Sequence, residues 1–138
     1  MDLEVEIHQI DLLIGAFFSA FDNRDGRTPS VQEVTRLMVQ GAVIAKRTGD
    51  SFEITGPIPF AEPRVALLTD GRLVNFHEWE TESSTEVQGR MAVRRSRYAK
   101  EGTWGGAPSS GGGSKVFQLI NVQGHWRILS LAWEDDPD

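Results

Sequence analysis

The sequence predicts an α+β domain with a mainly antiparallel sheet. Its apolar positions recur every three or four residues from Leu3 to Gly41, as in amphipathic helices, and the period then falls to two. Long strand-like segments close the chain with polar turns between them and no intervening helix, which excludes an alternating parallel architecture.

Leu3 to Asp22 is the first helix. Leu3, Ile7, Ile10, Ile14, Phe17 and Phe21 form one stripe, widened by Leu13, Phe18 and Ala20. Asn23-Arg24-Asp25-Gly26 stops it, with Gly26 available for a left-handed exit. A second helix starts at the capping box Ser30-Val31-Gln32-Glu33 and runs to Gly41. Ala42–Lys46 and Ser51–Thr55 flank Arg47-Thr48-Gly49-Asp50 as a hairpin. Gly56-Pro57-Ile58-Pro59 breaks the chain, and Phe60–Leu68 reads as a third helix with Pro63 in its first turn.

Arg72–Glu82 and Glu86–Ala99 are then strands around the turn Ser83-Ser84-Thr85. That register sets Trp79 opposite Gly89 and Glu78 opposite Arg90. Residues 101–114, rich in Gly and Ser, read as a long flexible loop. Lys115–Val122 and His125–Glu134 form the last hairpin, around Gln123-Gly124.

A chain of 138 residues, 39% hydrophobic and 25% charged, fits a single domain spanning 1–138. The net charge of −6 argues against a nucleic-acid partner, which clustered Lys and Arg would favour. Without cysteine there is no disulfide framework, Cys-ligated zinc or thiol nucleophile. Asp2, Glu4 and Glu6 stand where a signal peptide carries positive charge, and no apolar run reaches the ~20 residues of a membrane span. The expectation is a soluble, cytoplasmic protein without a membrane partner. His8, His77 and His125 fall in unrelated elements, so no metal site is expected, and Gly111-Gly112-Gly113 lacks the Lys-Ser/Thr of a phosphate loop. No cofactor is expected.

Three segments carry a family resemblance: Phe17-Phe18-Ser19-Ala20-Phe21 closing the first helix, Val74-Asn75-Phe76-His77-Glu78-Trp79-Glu80, and Gly124-His125-Trp126-Arg127-Ile128. In this order and spacing the chain resembles the nuclear transport factor 2-like superfamily, with its SnoaL-like and ketosteroid isomerase-like domains. The resemblance implies N-terminal helices packed on a strongly curved, cystatin-like sheet that forms a conical pocket. It also implies a dimer packed through the sheet. Members range from isomerases and dehydratases to binding and assembly modules, so fold alone leaves function open.

Strand alternation sorts the candidates by face. One face carries Asn75, His77, Trp79, Met91, Asn121 and Trp126, and is assigned to the helices and the pocket. His77 is the candidate general acid/base, although a hydrogen-bonded core histidine is the commoner role. Trp79 and Trp126 are candidate ligand contacts, with core packing as the plainer reading. Arg95, near the pocket mouth with Arg97, is a candidate for attracting an anion. The opposite face carries Glu78, Arg90, Leu129, Leu131 and Trp133, a mixed surface suited to a homodimer. A ketosteroid-isomerase site needs a tyrosine and carboxylates, whereas Tyr98 has the wrong parity unless a bulge intervenes. Three functions follow as expectations: binding of a small, mostly apolar molecule; lyase, isomerase or cyclase chemistry with His77 as proton carrier; or a non-catalytic dimerisation module.

Overall fold

The computed structural model describes residues 2–138. Asp2 caps α1 (Leu3–Ser19), its Oδ1 accepting from the Glu4 and Val5 amides at 2.9 and 3.4 Å. This satisfies two of the free donors of the first turn. From Ile10 onward the predicted stripe is the buried face (Ile10, Leu13, Ile14, Phe17 and Phe18), while Leu3 at its start is exposed. Ser30 caps α2 (Val31–Thr35) through its Oγ, 3.2 Å from the Glu33 amide. The helix does not reach Gly41. Met38 pairs with Ile128, whose amide donates to the Leu37 carbonyl at 2.9 Å, so tertiary pairing draws the chain into the sheet early.

β1 (Met38–Thr48) and β2 (Ser51–Thr55) form the expected hairpin over Gly49. α3 (Pro57–Thr69) starts at Pro57, which leaves Pro63 in the helix interior rather than its first turn. β3 (Leu73–Gln88), β4 (Met91–Trp104), β5 (Ala107–Val122) and β6 (His125–Asp135) complete an open sheet of order β2-β1-β6-β5-β4-β3. Every neighbouring pair is antiparallel except β1 with β6. The architecture is α+β, as the change of period predicts.

Two turns differ from the sequence reading. Ser83-Ser84-Thr85 lies inside β3, and the reversal occurs at Gly89-Arg90, where Gly89 supplies φ of 62°. No residue at 83–85 takes a positive φ readily, and Thr85 is β-branched, so the strand runs on. Trp79 therefore faces Ala99, and Glu78 faces Lys100. The supposed 101–114 loop is the end of β4 and the start of β5 around Gly105-Gly106, both at positive φ. Its glycines have a packing reason. A Cβ on Gly112 would come 2.6 Å from the Tyr98 carbonyl, and one on Gly113 would overlap the Tyr98 hydroxyl and the Glu134 carbonyl.

Bulges interrupt β1 between Met38 and Val43, and β3 between Val74 and His77 and again between Glu80 and Glu82. Leu129 is the extra residue in β6, since Gln118 faces Ser130 and Leu119 faces Ile128. Such insertions bend strands and reset which side chains face inward. Asn23 ties the ends of three elements together. Its Nδ2 donates to the Leu68 and Leu73 carbonyls at 2.9 and 2.8 Å, and its Oδ1 accepts from the Phe76 amide at 2.7 Å.

Candidate functional site

A cavity of about 120 Å³ lies between α1, α3 and the helix-facing side of the sheet. It approaches the size of an engineered protein cavity that takes up benzene, roughly 150 Å³. Helical spacing builds one wall: Phe17 on α1 and Phe21 just past its end, with ring centroids 5.3 Å apart, and Phe60 and Arg64 on α3. Arg64 Nη1 donates to the Phe60 carbonyl at 2.9 Å, and its guanidinium lies 4.5 Å above the Phe60 ring and 5.0 Å from that of Trp133. Strand alternation builds the other wall. β3 contributes Phe76 and Glu78, β4 Lys100, β5 Lys115, and β6 Trp133 and Asp135. The Leu129 bulge changes the inward set of β6 from Trp126 and Ile128 to Leu131 and Trp133.

The polar end is unusual. Lys115, with a side chain only 6% exposed, lies 3.5 Å from Glu78 Oε1. That contact lacks hydrogen-bond geometry, and Glu78 Oε1 is buried without a hydrogen-bond partner. Lys115 Nζ is ringed by Tyr98 at 4.0 Å, Trp133 at 5.1 Å and Phe18 at 5.9 Å. Burial pulls its ammonium below the usual lysine range, against the opposing charges of Glu78 and Asp135. Burial and the Asp135 carboxylate raise the Tyr98 phenol, which stays protonated and donates to Asp135 Oδ1. For Asp135, burial opposes ionisation. The Tyr98 hydroxyl together with Lys100 (3.2 Å) and Lys46 (4.0 Å) outweighs it and holds the carboxyl low.

All three lysines of the chain therefore line this one cavity. With Arg64 they set four cations against the carboxylates of Glu78 and Asp135, in a chain whose net charge is −6. An apolar cavity with a few convergent polar groups and a perturbed titratable side chain has the make-up of a ligand site.

Elsewhere on the same face, Arg94 has a side chain 4% exposed. It donates to Glu80 at 2.6 and 3.1 Å, Asp11 at 2.5 Å and Thr85 at 2.8 Å, while Ser96 donates to Glu80 Oε2 at 2.5 Å.

The residues expected to share a pocket are divided among separate places. His77 alternates with the inward Phe76 and Glu78, so it lies on the other face, stacked on Trp79 at 4.4 Å and bonded to Glu101 at 3.0 Å. Asn75 sits exposed in the β3 bulge with φ of 51°. Met91 and Arg95 are exposed on the outer face. Trp126 is buried, but beside the first turns of α1, where its Nε1 donates to Glu6 at 3.1 Å. Asn121 lies next to it and accepts from the Gly124 amide. Of the expected dimer face, Leu131 is buried, while Glu78 and Trp133 line the cavity. Leu129 and Arg90 remain exposed.

The reversal has a physical cause. The inward residues of β3 and β4 include the polar Glu78, Glu80, Arg94 and Ser96 beside Phe76, Ala92 and Tyr98, whereas the outer face carries Trp79, Met91 and Val93. Apolar content therefore points the wrong way. Tyr98 was set aside for the same reason; Lys115, in phase with the inward Phe117 and Leu119, and Asp135, in the acidic tail, carried no separate sequence signal. Among the described residues, no three His, Asp or Glu side chains gather as metal ligands, and no helix is long and apolar enough to cross a membrane.

No family model and no curated protein matches the sequence. Solved structures do match in fold. A protein from Kribbella flavida shares 15% identity over 99% of this chain and 94% of its own, with a TM-score of 0.77. A candidate scytalone dehydratase from Novosphingobium aromaticivorans shares 13% over 96% and 85%, with a TM-score of 0.76. An NTF2-like protein of unknown function from Silicibacter pomeroyi shares 14% over 99% and 100%, with a TM-score of 0.69.

Proposed function

We propose that this chain, which has the nuclear transport factor 2-like fold of those solved structures, binds a small, mostly apolar molecule with an oxygen-bearing end. The observation that carries this is the polar end of the cavity. Lys115 and Glu78 are buried there without a hydrogen bond between them, facing space walled by Phe17, Phe60 and Trp133. Burying such a pair is costly unless its geometry is good, and a ligand oxygen supplies the missing partner. The cationic excess favours a carboxylate or carbonyl oxygen over an ammonium group. Acid/base work in this cavity falls to Lys115 and Glu78, because His77 lies outside it.

Leu67 lines the cavity from α3. Leu67→Trp is expected to fill the space, keep the fold and abolish binding of small aromatic acids and aldehydes, read from the Trp133 indole resonance during titration. Unchanged affinity in that variant would place the ligand elsewhere.

Pairing of two copies through their sheets is supported by a separate observation. Val43, Met91, Val116 and Leu129 are exposed, and they leave an apolar strip on the outer face of β1, β4, β5 and β6. Leu129→Arg is expected to yield soluble monomers in sedimentation velocity. A dimer that survives it uses another surface.

A further inference from the structure

We propose that Lys115 is a reactive amine that condenses with an aldehyde or ketone in the cavity to form an imine, with Glu78 moving the protons. This rests on the small-molecule reading above and names the class of its ligand. Three features of the geometry carry it. The one carboxylate contact of Lys115 Nζ is Glu78 Oε1 at 3.5 Å, an oxygen that accepts no hydrogen bond, so the amine is held only by a long ion pair. Its side chain is 6% exposed and lines the cavity. The carboxylate 3.5 Å away keeps an unpartnered oxygen, close enough to take and return a proton. The other two lysines differ, since Lys46 and Lys100 both lie against Asp135 and are about one-third exposed.

In the step, the Lys115 lone pair attacks the carbonyl carbon and the C=O π pair moves onto oxygen. Glu78 carries one N–H proton to that oxygen, giving the carbinolamine, and then the second N–H proton to its hydroxyl, which leaves as water while the C=N bond forms. Amine and carbonyl give imine and one water, with no oxidant or reductant. A desolvated lysine suits this chemistry because a larger share of it is neutral. The aromatic wall fits a planar apolar carbonyl compound.

The test uses the full chain with benzaldehyde as the probe, cyanoborohydride to trap the imine, and peptide mapping by mass spectrometry. Benzyl alcohol, of similar size and unable to condense, serves as the binding control through the Trp133 indole resonance. The expected result is a single benzyl adduct on Lys115, formed well before any on Lys46 or Lys100. Glu78→Gln should slow trapping by about 10²-fold, and Lys115→Arg should remove the adduct. The wild-type map alone decides the matter if those variants fail to fold. Binding of both probes with adducts spread evenly over the lysines overturns the imine inference and leaves the pocket standing. Absence of binding by either probe removes both.

Discussion

Arg94 on β4 and Lys115 on β5 each place a cation under the helices, with side chains 4% and 6% exposed, yet only Arg94 is bonded. Glu80, Asp11 and Thr85 accept four hydrogen bonds from the guanidinium, and Ser96 supports Glu80. Lys115 has aromatic rings and one carboxylate at 3.5 Å outside hydrogen-bond geometry. Burial being equal, the difference lies in satisfaction. A cation with four of its five donors bonded clamps α1 to β3 and β4, whereas one left short beside a cavity is set up for something the protein alone does not supply.

The comparison can be broken by mutation, beginning where the effect is largest. Arg94→Met strands Glu80 beneath α1 and is expected to cost about 3–5 kcal/mol in urea unfolding. A loss below about 1 kcal/mol would mean the network is ornamental and the contrast with Lys115 empty.

Asp22 gives a smaller, pH-dependent check on the satisfied class. It accepts from the Arg24 side chain and amide and from Arg27 at 2.8–3.1 Å, and these hold its pKa down at about 2 against the effect of burial. A depressed folded pKa contributes stability that is complete above the unfolded value of about 3.9 and is lost as pH falls towards 2. Asp22→Asn should therefore cost about 1–2 kcal/mol at pH 7, and the gap to wild type should close between pH 4 and 2. A gap independent of pH would show that the loss comes from packing.

The sequence made the helices legible because α1 buries one face from Ile10 onward, and the Asp2 and Ser30 ends carry local capping chemistry. The last hairpin was legible through Gln123-Gly124, both at positive φ. The face of β3 and β4 was not. Beside Phe76, Ala92 and Tyr98 its inward side holds the paired Glu80 and Arg94, with Glu78 and Ser96, so hydrophobicity pointed to the wrong side. The Leu129 bulge likewise moved Leu131 and Trp133 from the expected outer surface into the core and cavity wall. Gly111 to Gly113 read as flexible, although Gly112 and Gly113 are small because β5 crosses Tyr98 there, a long-range contact that no local pattern records.

The most direct measurement is equilibrium urea unfolding of the double variant Lys115→Met/Glu78→Leu beside wild type, at pH 7. If the pair serves a ligand rather than the fold, replacing both charges with apolar side chains should leave stability within about 1 kcal/mol of wild type, or raise it. A loss of about 3 kcal/mol or more would show that the pair holds the structure together, and would contradict its assignment to a binding site.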